Sequence, residues 1–286
     1  MIEIKVPATS ANIGPGFDTL GIALNMYNKF LIKRVERVDF KNDNLVYRSY
    51  QKTFEVLGKP LIDVQIDIET NIPVSRGLGS SAACIVGGVM GANEILGRPL
   101  SKEEILEIST LIETHPDNVA PAIYGGLLIS VIEDGKVYTC QAPIKNKLKF
   151  ISLVPDFKLS TKLSREVLPE MILYKDAVYN VGRVSMLLSA FATGRDDLLK
   201  HALKDKLHQP YRGILIQGFE DIRDFANLNG SLGTYLSGAG PTIMCISNND
   251  NQGFKDNIKA YLEIKYPGWM VFEHSVDELG ASVKID

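Results

Sequence analysis

A chain of 286 residues, 45% hydrophobic and 23% charged, has the composition of a globular protein and the length for two packed units. Its formal charge of −3 excludes the broad basic field that captures nucleic acid or anionic lipid, so any anion it binds must be held locally. Cys84, Cys140 and Cys245 are too scattered for a disulfide framework, no run reaches the roughly 18 apolar residues of a membrane span, and the N-terminus lacks a signal-peptide pattern; we expect a soluble, cytoplasmic protein.

In chain order, Ile2 to Val6 alternates as a strand and Phe30 to Val38 predicts a second, with a glycine-, proline- and asparagine-rich loop between them. Asn12 and Asp18 are the polar groups of that loop, and an ordinary surface connection explains them as well as a site does. Ile62 to Ile68 alternates as a half-buried strand and leads into Pro73-Val-Ser-Arg-Gly-Leu-Gly-Ser-Ser-Ala-Ala83. Gly77 and Gly79 permit close approach and left-handed backbone, while Ser80 and Ser81 fall where a helix begins. The free N–H groups and dipole of such a terminus attract phosphate. The segment lacks the spacing and lysine of G-x-x-x-x-G-K-[ST], so taken alone it also fits a simple helix cap.

Ser81 to Leu96 carries small and aliphatic residues on every face, which predicts a buried helix. Ser101 and Glu104 have capping-box spacing and open a helix toward Ile112. His115-Pro-Asp117-Asn118 reads as a turn, preceded by Glu113. Next to phosphate, a carboxylate such as Glu113 suits Mg²⁺, which takes one or two carboxylates plus phosphate oxygens. Ile123 to Ile132 predicts a strand, with Asp134-Gly135 as a hairpin turn into Val137 to Cys140. The pattern restarts at Lys149, placing a domain boundary near 146 and domains at 1–146 and 147–286. Strands are expected at Phe150 to Val154 and Trp269 to Ser275, and helices at Asp176 to Thr193, Asp197 to His208, Ile214 to Asn227 and Phe254 to Tyr266. Gly233 to Ser247 reads as strand, turn, strand; the N–H groups of its Ser237-Gly-Ala-Gly-Pro-Thr242 turn either face an anion or merely join the strands.

Pro7 to Asp18, Pro73 to Ala83 and Ser237 to Thr242, in that order, resemble the three motifs of the GHMP small-molecule kinases, named for galactokinase, homoserine kinase, mevalonate kinase and phosphomevalonate kinase. Ser10-Ala-Asn12-x-Gly-x-Gly-Phe-Asp18, His115 to Pro121, Thr161-x-x-x-Arg165-x-x-Leu-Pro169 and Tyr211-Arg212 resemble the homoserine-phosphorylating branch, which serves threonine biosynthesis. The resemblance implies a two-domain α+β fold, ribosomal-S5-like then ferredoxin-like, with the site between the halves and a homodimer as in many relatives. It implies that Pro73, Val74, Ser75, Arg76, Gly77, Leu78, Gly79, Ser80, Ser81, Ala82 and Ala83 hold ATP, with Ser81 and Glu113 at Mg²⁺. Relatives with a short connection carry Glu-Gly where this chain has Glu113-Thr114, and longer-looped ones keep their metal glutamate nearer Glu107. Asn12, Asp18, Thr161, Arg165 and Arg212 would form the pocket for L-homoserine, with His115 supporting it.

That pocket makes chemical sense by itself. A zwitterion needs an acid for its ammonium group, as Asp18, and a planar cationic fork for its carboxylate, as arginine. Without the flanking motifs, Arg165 and Arg212 would read as surface ion-pair formers. Many GHMP kinases carry a catalytic aspartate in the segment where this chain has Asn118, which cannot take up a proton. Catalysis by positioning and charge stabilisation is therefore expected, with Asp117 and Asp18 the remaining nearby carboxylates. Other readings are a GHMP kinase for a mevalonate- or shikimate-like hydroxy acid, which would leave Asp18 idle, and a non-catalytic nucleotide-binding protein. The four histidines lack the spacing of a metal hydrolase.

Overall fold

The computed structural model describes residues 1–36, 44–248, 251 and 253–285. β1 (Ile2–Ala11) and β2 (Leu20–Arg34) form a long antiparallel pair, so the connecting loop is only residues 12–19. The sequence hid this extension because Leu20, Ile22, Ala23 and Leu24 are all buried, and a strand covered on both faces shows no alternation. Pro7 sits in β1 at a register shift, where the ladder does not need its missing N–H. The end of the expected strand at 37–38 lies outside the described residues.

α1 (Leu45–Val56), which the sequence reading missed, precedes β3 (Val64–Glu69) and α2 (Ser80–Ile95). α2 lies between the sheet and α1, and its small residues make that possible. A Cβ on Gly87 would meet Phe30 of β2 at 2.4 Å, and one on Gly88 would meet the Val46 carbonyl of α1 at 2.3 Å. α3 (Lys102–Glu113) starts at the expected capping box of Ser101 and Glu104. α4 (Pro116–Tyr124) replaces the expected turn: Pro116 takes the first helical position, where a missing N–H costs nothing. The strand expected from Ile123 therefore begins later, as β4 (Leu127–Glu133), and turns at Asp134-Gly135 into β5 (Lys136–Ala142).

β6 (Leu148–Val154) opens a second sheet. α5 (Thr161–Glu166), α6 (Tyr174–Thr193), α7 (Leu199–Ala202), α8 (Gln209–Arg212) and α9 (Phe219–Leu228) follow. The helices expected over Asp197 to His208 and Ile214 to Asn227 are shorter than read, the second starting only after Gly218 in left-handed conformation. β7 (Gly233–Leu236), β8 (Ile243–Asn248), α10 (Phe254–Lys265), β9 (Met270–His274) and β10 (Ser282–Ile285) complete the chain. Among the described residues the first sheet runs β10-β1-β2-β4-β5, with β3 also on β2, and the second runs β7-β8-β6-β9. β10 crosses back to pair with β1, so the proposed second unit, 147–286, returns its last strand to the first sheet.

β6 is buried on both faces. Phe150 and Val154 join the large core that includes Val6, Ile22 and Val86 of the first half, and Ile151 and Leu153 face α9 and α10 through Ile222, Phe254 and Ile258. The larger core thus spans both halves, and a smaller one lies between the second sheet, α9 and α10.

Candidate active site

The cleft, about 600 Å³, is lined by the Val74–Ser81 loop, Asn12, Asp18, Glu113 to Asn118, Thr161, Arg165, Arg212 and the Gly238–Gly240 turn. Most of the residues singled out from sequence therefore converge. Pro73, Leu78, Ala82 and Ala83 are not in the lining, and the side chains of the last three are in the core.

Gly79, at φ +69°, caps α2 without a side-chain hydrogen bond. The first bond of this helix runs from Ala83 N–H to the Gly79 carbonyl at 2.9 Å, so the N–H groups of Ser80, Ser81 and Ala82 have no intrahelical partner. The loop is held from behind: Thr9 N–H donates to the Leu78 carbonyl, Ser237 Oγ donates to the Gly77 carbonyl at 2.6 Å, and Arg76 donates to the Pro155 carbonyl. The second glycine turn is a brace. Its Gly238, Gly240 and Thr242 N–H groups donate to the carbonyls of Ala11, Ser237 and Arg76.

Ser81 Oγ donates to Glu113 Oε2 at 3.0 Å, joining the phosphate loop to the end of α3. Burial raises the Glu113 carboxyl above its ordinary range, and the Ser81 bond partly offsets this. A desolvated carboxylate beside a hydroxyl fits a divalent cation that completes its shell with phosphate oxygens and water. Glu107 is exposed on α3 and is not in the cleft lining.

At the start of α4, Asn118 Oδ1 accepts from Thr9 Oγ1 at 2.8 Å, and Asn118 Nδ2 donates to Asp117 Oδ1 at 3.3 Å. Burial, reinforced by the charges of Asp18 and Glu113, pushes the Asp117 carboxyl up to about 7. Asp18 Oδ1 accepts from Arg165 Nη2 at 2.7 Å, and its N–H donates to Asn12 Oδ1 at 2.9 Å. Asn12 Nδ2 in turn donates to the Gly238 carbonyl. Arg212 is 1% exposed and donates to the Ser164 and Gly238 carbonyls. No carboxylate among the described residues reaches ion-pair distance of it; burial and the neighbouring Arg165 charge push its guanidinium down to about 10. Thr161 is exposed at the first turn of α5.

Asn12, Asp18, Ser75 and Thr114 all have positive φ and all line the cleft, which concentrates backbone strain at the site. Sequence reasoning missed three supporting residues. Thr9 orients Asn118, but looked like one more position of a strand. Phe17 lies 4.9 Å from the Arg212 guanidinium carbon and 5.5 Å from that of Arg165. His208, fully buried, stacks on Phe17 and meets the Gly14 carbonyl at 2.8 Å. An aromatic beside Asp18 was the one available signal.

Residues 44–126 match the GHMP kinases N terminal domain and residues 187–267 the GHMP kinases C terminal region. The homoserine kinase of Clostridium beijerinckii is 46% identical over 293 residues, covering 99% of this chain and 98% of that protein. The chain belongs to the GHMP kinase family. A homoserine kinase of Clostridium botulinum is 47% identical, covering 99% of this GHMP kinase and 98% of its own length. The crystal structure of homoserine kinase from Cytophaga hutchinsonii superposes with a TM-score of 0.89 at 28% identity, covering 99% of this chain and 97% of that one. L. major mevalonate kinase, crystallised with R-mevalonate, shares the fold at a TM-score of 0.74 and 16% identity, covering 96% of each chain. The two-domain α+β GHMP kinase fold expected from the motifs is the one observed.

Proposed function

We propose that this GHMP kinase transfers the γ-phosphoryl group of ATP to the side-chain hydroxyl of L-homoserine, giving O-phospho-L-homoserine and ADP, a cytoplasmic step of threonine biosynthesis. The observation that carries the substrate is Arg212. A buried guanidinium without a carboxylate partner is costly unless a ligand supplies the anion. Asp18, in the same cleft, supplies the complementary site for an ammonium group.

The unclaimed N–H groups at the head of α2 receive the phosphate tail. Glu113 and Ser81 would hold Mg²⁺, which would supply charge neutralisation at the phosphates. Arg212 and Arg165 hold the substrate carboxylate, and Asp18 releases part of its grip on Arg165 to take the ammonium group. Asn118, fixed by Thr9, orients the acceptor region without taking its proton. Alignment supplies most of the rate, because phosphoryl transfer has a loose transition state. Asp117, with its carboxyl near 7, is the group able to accept the hydroxyl proton at neutral pH.

The test is ATP consumption with L-homoserine, L-serine, L-threonine, mevalonate and shikimate, with and without Mg²⁺. Turnover with L-homoserine that depends on Mg²⁺ is expected; preference for mevalonate or shikimate would refute the assignment.

A further inference from the structure

Thr114 ends α3 in the left-handed region, φ +76°, and its N–H donates to the Thr110 carbonyl. Glycine is the default residue at such a helix end, and a β-branched side chain there is a real outlier. Packing does not compensate, because the side chain is exposed at the rim of the cleft. The hydroxyl has a specific partner: Oγ1 lies 2.8 Å from His115 Nδ1. Across the ring, His115 Nε2 faces Asp18 Oδ2 at 3.8 Å. A proton on Nδ1 would turn the bare Nε2 lone pair toward a carboxylate. The favourable arrangement has Thr114 Oγ1 donating to Nδ1, with Nε2–H directed at Asp18.

We propose that Thr114 is a positioning residue for substrate. Its hydroxyl fixes the tautomer and orientation of His115, so that the Nε2–H dipole points toward the second oxygen of Asp18, 3.8 Å away, while Arg165 hydrogen-bonds the first. Asp18 is thereby presented to the substrate ammonium group in one rotamer. The strained backbone is retained because it places the hydroxyl beside Nδ1. This inference rests on the amino-acid reading of the cleft.

Thr114→Gly separates stability from function, because it relaxes the backbone while deleting the hydroxyl. Its thermal midpoint is expected to rise by about 2–4 °C. Its KM for L-homoserine is expected to rise about fivefold, with the KM for ATP changed less than about twofold. Thr114→Ser keeps the hydroxyl and should keep the wild-type KM. Imidazole ¹⁵N shifts of the ligand-free protein should report a single Nε2–H tautomer for His115 in wild type and the serine variant, and a mixture in the glycine variant. A glycine variant with wild-type KM and a single tautomer overturns the proposal, as does a serine variant that loses substrate affinity. Wild type without homoserine-dependent turnover refutes the parent reading and with it the substrate role, whereas the tautomer measurement tests the hydroxyl independently of any substrate.

Discussion

Asp117 shows how one buried side chain couples stability to chemistry. Its carboxyl is pushed from an ordinary 3.8 to about 7, with burial the leading cause. Between those values the unfolded chain releases the proton while the folded chain keeps it, so folding stability falls as pH rises through this window. The full penalty, on the order of 4 kcal/mol, is present above about pH 7 and absent below about pH 4. Asp117→Asn should therefore stabilise the protein by a few kcal/mol at pH 8 and hardly at all at pH 4, as read by urea unfolding. It should also lower kcat about a hundredfold and remove the acid limb of the pH–rate profile near 7. Equal stabilisation at both pH values would show that the carboxyl is not perturbed in this way. Asp18, Arg165 and Arg212 were singled out through the motifs that resemble the GHMP kinases; residue type alone would have left the two arginines as surface ion-pair formers. Thr9, Phe17 and His208 were not readable, because they act on other protein groups and no spacing rule announces that.

At the scale of elements, the phosphate loop depends on how closely β1 approaches α2. A Cβ on Gly79 would lie 1.9 Å from Thr9 Oγ1, on a backbone already at φ +69°. Gly79→Ala should therefore cost more than about 2 kcal/mol of stability. Because Thr9 is also the partner of Asn118, the displacement should carry into the acceptor region. Calorimetry on the folded variant should show ATP binding weakened together with kcat; unchanged ATP affinity would disconnect the two. α2 itself was legible, because small residues on every face mean burial. α4 was not: Pro-Asp-Asn favours turns locally, and only the packing of Val119, Ala120 and Ile123 into the core makes it a helix. α1 was missed along with it.

At the scale of the whole molecule, alternation and the Asp134-Gly135 turn gave the mixed α and β content. They could not give the pairing of β10 with β1, a contact between residues near opposite ends of the sequence. Nor could they show that Phe150 and Leu187 belong to the same core as Ile4. That shared core ties the two halves together behind the cleft. Ser10 Oγ reinforces the junction, meeting Ser237 Oγ at 2.7 Å and the Tyr235 hydroxyl at 3.0 Å.

Ile2 stands opposite Ile285 across the β1–β10 ladder. The stretch from Ile2 to Ile285 thus closes almost into a ring through this ladder. A permutant with the old termini bridged by a short glycine-serine tether and new ones opened at exposed Lys147 keeps every strand and every cleft residue. It should fold, and phosphorylate its substrate at a rate close to the parent's; an inactive or unfolded product would mean that the order of synthesis, and not only the final neighbours, is written into this sequence.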